Sequence, residues 1–127
     1  MSTILVNTLT GTSTASSIAV TGEGNSTTTN LQQGLAKAWC RASSAANPQD
    51  SLNISSGTDN ATADYTYAFT NNMANDTYSG TATAITNAAK MAGFSNVQTS
   101  QYDTDYHADD GSNSDTGNTQ QVLGDLA

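Results

Sequence analysis

Residues 51–69 read Ser51-Leu52-Asn53-Ile54-Ser55-Ser56-Gly57-Thr58-Asp59-Asn60-Ala61-Thr62-Ala63-Asp64-Tyr65-Thr66-Tyr67-Ala68-Phe69. In residues 51–56 the large apolar Leu52 and Ile54 alternate with polar neighbours, the period-two pattern of a half-buried strand. Gly57-Thr58-Asp59-Asn60 then supplies turn chemistry, since Gly tolerates unusual dihedrals and Asp and Asn bond their own backbone. From Ala63 the alternation resumes and places Tyr65, Tyr67 and Phe69 on one face. Asn71-Asn72 interrupts, and residues 76–85, with Tyr78 and Ile85, read as a third strand. Three strands separated by polar turns predict a mainly β chain, a small antiparallel β-sandwich.

The flanks are less decided. Leu31, Leu35 and Trp39, with Ala38, have helical spacing, and Ala-Lys-Ala composition favours a helix. Ile85, Ala88, Ala89 and Met91-Ala92 fit a short amphipathic helix equally well. Both helix and strand stay open over residues 31–41 and 85–93. Residues 1–30 begin with Ile4, Leu5, Val6 and Leu9, then turn Thr-, Ser- and Gly-rich with only Ile18 and Val20 between. A stretch so poor in apolar surface does not fold alone, so it is expected as an extended attachment and oligomerisation segment. Residues 31–127 are expected as the sandwich head. Within it, residues 101–127 carry six Asp and no Lys or Arg. The stretch 101–120 reads as a solvated acidic loop, and residues 121–126 as a closing strand.

Composition narrows the classes. Of 127 residues, 36 are Ser or Thr and 18 are Ala. Leu, Ile, Val and Phe make up about 13% of the chain, below the roughly 20% at which disorder becomes a concern. The net charge is −8, too modest to force disorder, but a self-sufficient monomeric core looks thin. Sharing a core between chains is therefore expected. Three cations and a pI near 4.1 speak against nucleic acid, whose affinity depends on neutralising phosphates, and against anionic membrane surfaces. No stretch has the roughly 18 apolar residues of a membrane span. The opening residues lack the basic flank of a secretory signal. One cysteine, Cys40, provides neither a disulfide framework nor a Cys-based zinc site.

Candidate functional residues are few. Trp39, Tyr65, Tyr67, Phe69 and Tyr78 have the flat apolar faces and polar tips of a glycan platform. With so few other apolar residues, the favoured reading is that Trp39, Leu52, Ile54, Tyr65, Tyr67, Phe69, Met73 and Tyr78 form core or interface. The tract from Asp103 to Asp115 is rich in oxygen ligands that suit calcium, yet it lacks the spaced Asp/Asn-then-Gly order and closing Glu of a helix-loop-helix site. It reads as a solvated loop. His107, the only histidine, has no partner in a recognisable nucleophile or paired-carboxylate motif, so no catalytic residue, cofactor or metal is assigned. The four glycosylation sequons are what this Asn, Ser and Thr content yields by chance. Arg41 beside Cys40 is too little to mark a reactive thiol.

The middle of the chain resembles a known module. Lys37-Ala38-Trp39, residues 51–56, Thr58-Asp59-Asn60, Asp64-Tyr65-Thr66, Phe69-Thr70, Met73, Tyr78 and Gly80-Thr81-Ala82 occur in order. This is similar to a module of tail-fibre and other virion-surface proteins of marine bacteriophages, including cyanophages. There a Lys-Ala-Trp opening leads to an Asn-Val/Ile-Ser-Ser strand, a Thr-Asp-Asn turn and an Asp-Tyr-Thr strand. Val122-Leu123-Gly124-Asp125 resembles the Val-Phe-Gly-Asp close of many members. Two departures stand out: the module carries glycines where Ala61 and Ala63 stand, and Asn-Phe where Cys40-Arg41 stand. The resemblance implies a structural virion protein, elongated, β-rich and trimeric; a short tail-fibre or particle-attached fibre subunit that attaches to the host surface, assembled as a homotrimer, is the first expectation. It further implies contacts to other virion proteins through residues 1–30 and a host-surface glycan as a partner. A capsid decoration or cement protein that stabilises the head without binding host is the alternative.

Overall fold

A computed structural model describes residues 3–11, 18–22, 27–85, 90–108 and 110–127. They fall into two compact units, Met1–Leu35 and Ala36–Ala127. The sequence reading set the division at 30/31; it falls after Leu35, where the next residue already opens a strand.

In the first unit, β1 (Ala19–Thr21) pairs antiparallel with β2 (Thr28–Asn30), Val20 opposite Thr29. A single helical turn, α1 (Leu31–Gly34), follows, tied back by the Leu31 amide donating to the Ile18 carbonyl at 2.8 Å. Residues 3–11 form neither helix nor strand, and Ile4, Leu5, Val6 and Leu9 are exposed. The polar residues read at 12–17 lie outside the described residues, as do Ala88 and Ala89.

The second unit contains β3 (Ala36–Ala42), β4 (Pro48–Leu52), β5 (Ile54–Ala61), β6 (Asp64–Phe69), β7 (Ser79–Ala84), β8 (Lys90–Ser95), β9 (Gln101–Ala108) and β10 (Asn118–Leu123). The first sheet has the order β4-β3-β10-β7 and the second β5-β6-β9-β8, with every pairing antiparallel. The chain is thus mainly β and sandwich-like, as its alternating apolar pattern predicts.

Three local expectations need correction, and one open choice is resolved. Residues 51–56 are not one strand. Asn53 takes φ 57°, so Leu52 ends β4 in the first sheet and Ile54 starts β5 in the second. A left-handed residue turns the chain from one layer to the other, and Asn accepts that conformation better than most. Residues 57–60 are not the turn; they extend β5, and the reversal comes at Thr62-Ala63 with Ala63 at φ 66°. Gly57 serves close approach, because a Cβ there would overlap the Ala46 carbonyl. Over 31–41 the single turn α1 gives way to strand, and the described part of 85–93 is strand from Lys90 onward. The expected acidic loop 101–120 is mostly two strands, β9 and β10, joined through residues 109–117. Tyr102, Thr104 and Tyr106 alternate inward along β9 while Asp103 and Asp105 face outward. The charge of that outer row hid an amphipathic strand.

The core follows from the two inner faces. The second sheet contributes Tyr65, Tyr67 and Phe69 from β6 and Tyr102, Thr104 and Tyr106 from β9, with Tyr67 opposite Tyr102. The first sheet answers with small side chains in register. Its ranks read Ala42-Asn118-Ala84, Cys40-Gln120-Ala82 and Ala38-Val122-Gly80. Sheets packed about 10 Å apart leave little depth opposite a layer of tyrosines, so small residues fill it. Gly80 is the limiting case, since a Cβ there would overlap the Phe94 ring. Phe94 in turn stacks on Tyr102 with centroids 4.6 Å apart. Aromatic side chains bury about 150–250 Å² each, so four fully buried tyrosines replace the missing aliphatic bulk. The core expected to be shared between chains is closed within one chain; Tyr65, Tyr67, Tyr102 and Tyr106 are all 0% exposed.

Candidate binding site

The residues read as core or interface separate into two groups. Ile54, Tyr65, Tyr67, Phe69 and Met73 are buried, with Tyr78 packed against them edge-on to Phe69. Trp39 and Leu52 point the other way, 36% and 47% exposed, and sit opposite each other across β3 and β4. The Lys-Ala-Trp-Cys-Arg run dictates this: in a strand Ala38 and Cys40 face inward, so Trp39 and Arg41 must face outward.

On that outer face the sheet aligns two ranks of side chains. Trp39 lies opposite Gln121 and Gln121 opposite Thr81; Arg41 lies opposite Thr119 and Thr119 opposite Thr83. They line a concavity of about 560 Å³. The Arg41 Nε donates to Gln49 Oε1 at a long 3.4 Å, and among the described residues the terminal guanidinium nitrogens have no hydrogen-bond partner. Asp50 sits opposite Arg41 on β4 and so on the same face of the sheet, is not among the residues lining the concavity, and its Oδ1 accepts the Ser51 amide at 2.9 Å. This arrangement offers an indole face, a guanidinium, a carboxamide and three hydroxyls on a rigid sheet.

The inner face carries a second polar set. Tyr65 Oη donates to the Ser44 carbonyl at 3.2 Å and accepts the Thr116 amide at 2.9 Å. Tyr67 Oη donates to Asn118 Oδ1 at 2.8 Å, which also accepts Gln120 Nε2. Among the described residues Tyr102 Oη is buried without a hydrogen-bond partner, whereas the Tyr106 hydroxyl faces the Thr104 and Gln120 side chains. Burial pushes all five tyrosines upward; for Tyr78, bonded to the Gln98 carbonyl, the value reaches about 12. Burial, helped by the Asp50 carboxylate, pushes the Cys40 thiol up to about 11. A thiol so protonated is a packing group, not a nucleophile.

The acidic tract does structural work. Asp103 accepts Thr66 Oγ1 at 2.6 Å and Asn96 Nδ2 at 2.7 Å, Asp105 accepts Ser95 Oγ at 2.8 Å, and Asp115 accepts the Ala63 amide at 2.9 Å. Asp110 is held below the usual carboxylate range by the Ser112 hydroxyl and amide. Asp109 lies outside the described residues. Among the described residues no group of three or more His, Cys, Asp or Glu side chains is placed to hold a metal ion. His107 Nδ1 lies 3.0 Å from Asn113 Oδ1, a contact that pins the connection after β9.

The sequence reading missed Arg41, Thr81, Thr83, Thr119 and Gln121 as a site. Only the strand order brings β3, β10 and β7 side by side. The detectable signal was the alternation Trp39-Cys40-Arg41 itself. Comparison with protein-family models, curated proteins and solved structures finds no match.

Proposed function

We propose that this chain is a structural protein of a virus particle. It is a short tail-fibre or particle-attached fibre subunit that meets the host surface, assembled as a homotrimer. The motif order described above supports the viral setting. The polar groups of the described residues also favour a structural role, because Asp103, Asp105, Asp115 and His107 are engaged in bonds between strands and turns.

The observation that carries the reading is the contrast between the two units. Residues 36–127 close their own core, whereas Ile4, Leu5, Val6 and Leu9 are left exposed, Leu5 at 91%. A run of exposed apolar side chains of that kind marks an interaction surface. Residues 1–30 therefore do the assembling, with one another and with other virion proteins, and the sandwich is the part displayed. Three displayed heads turn weak single contacts into useful avidity.

Light scattering on the purified full chain tests this. The expected mass is three times 13.0 kDa. Replacing Ile4, Leu5 and Val6 by Ser is expected to release a monomer with unchanged far-ultraviolet circular dichroism. A full chain that stays monomeric at micromolar concentration overturns the proposal.

A further inference from the structure

We infer that the outer face of the first sheet binds an acidic saccharide in the concavity beside Trp39. Sugar recognition requires two things at once: a flat apolar surface for the C–H face of the ring, and fixed hydrogen-bonding groups around its rim. Trp39 supplies the first. Gln121, Thr81, Thr83 and Thr119 supply the second, held in register by three paired strands. The volume of about 560 Å³ falls within the roughly 300–1,000 Å³ usual for small-ligand sites.

Charge selects the class of saccharide. The chain carries 11 acidic residues against three cations, yet among the described residues no carboxylate lines this concavity and one cation does. Lys90 is bonded to the Ser114 side chain and carbonyl and Lys37 is buried. Arg41 is left with its planar fork exposed, the group best suited to bidentate pairing with a carboxylate. A sugar ring on Trp39 with a uronic carboxylate on Arg41 satisfies both halves of the site. A second copy of this chain would instead bring another −8 charge toward the face.

The inference deepens the attachment reading and takes its biological setting from it. Trp39 is the sole tryptophan, so its fluorescence reports the site directly. The full chain is titrated with trigalacturonate and trimannuronate, and with maltotriose as the neutral comparison. A saturable change is expected with at least one uronate. Maltotriose is expected to bind about 10–100-fold more weakly, the span of one charge-assisted pair. Arg41→Gln is expected to erase that difference while leaving the melting temperature unchanged.

Absence of a saturable change with either uronate up to about 10 mM overturns the inference. Equal binding of maltotriose overturns it too, as does an Arg41→Gln variant that still prefers uronates. If the fluorescence shifts on dilution of the protein alone, a second copy covers the face and the inference also fails. A trimer that binds no uronate removes this inference and leaves the fibre reading; a monomer that binds uronate does the reverse.

Discussion

The Asn53 carboxamide holds Asn71 at both ends: its Oδ1 accepts the Asn71 amide at 2.7 Å and its Nδ2 donates to the Asn71 carbonyl at 3.0 Å. The Asn53 carbonyl adds a third bond, from the Thr70 amide at 3.1 Å. One residue thus both turns the chain from β4 into β5 and pins the exit of β6. Asn53→Ala removes the two side-chain bonds and puts a Cβ-bearing residue without local support at φ 57°. The expected loss in urea unfolding is about 2–3 kcal/mol. Asn53→Gly is expected to recover about 1 kcal/mol of it by relieving the backbone. An alanine variant as stable as the parent would show that the corner is held elsewhere.

Tyr67 and Tyr102 face each other in the core with centroids 5.7 Å apart, yet their hydroxyls differ. Tyr67 Oη reaches Asn118, whereas Tyr102 Oη has no partner among the described residues. Tyr102→Phe removes an orphaned polar atom and is expected to be neutral or stabilising by up to about 1 kcal/mol. Tyr67→Phe removes a made bond in a desolvated site and is expected to cost about 1–2 kcal/mol. Chemical denaturation of both variants checks the pair, and the reverse ranking would refute the assignment.

Gly80 leaves room for the Phe94 ring against β7. Gly80→Ala forces that ring off its stack with Tyr102 and is expected to destabilise by about 1–3 kcal/mol, as overpacking does. Adding Phe94→Leu is expected to recover part of the loss, because the displaced ring is gone. Additive effects in the double variant would place the clash somewhere else.

Alkaline pH should unfold the protein cooperatively. Cys40 rises from 9.0 to about 11 and Tyr78 from 10.0 to about 12, with Tyr65, Tyr67, Tyr102 and Tyr106 also raised, all chiefly by burial. Above pH 9 to 10 the unfolded chain loses these protons first, so it binds fewer than the native state and stability falls as pH rises. The contribution is whole below pH 9 and disappears through about pH 11 to 12. Phenolate absorbance and circular dichroism should therefore change together. Gradual phenolate formation at constant circular dichroism would contradict the burial. For the same reason, Cys40 should resist thiol reagents at neutral pH until denaturant is added.

Much of the fold is legible in alternation alone. Tyr65, Tyr67 and Phe69 lie on the inner face that their spacing assigns, whereas of the closing strand expected over 121–126 only residues 121–123 are strand, at the end of β10. Alternation fails where one residue breaks it or where charge masks it. Asn53 divides residues 51–56 between two sheets through a backbone dihedral that composition does not encode. Asp103 and Asp105 made residues 101–108 look solvated, although Tyr102, Thr104 and Tyr106 carried the period of a strand. The site was less legible still: Trp39 was singled out, but Arg41, Thr119 and Gln121 were not, since nothing local links residue 39 to residue 121.

The sequence by itself determined that this chain is mainly β and antiparallel, because a period of two with polar turns admits little else. It also determined that any core had to be aromatic, since few aliphatic residues are present. Only the tertiary structure decided that one chain closes that core, and which face Trp39 and Arg41 occupy together. Strand order and register are set by how a layer of tyrosines fits against Ala38, Cys40, Ala82 and Gly80 across the sandwich. That fit is a property of two sheets in contact, which no single strand carries.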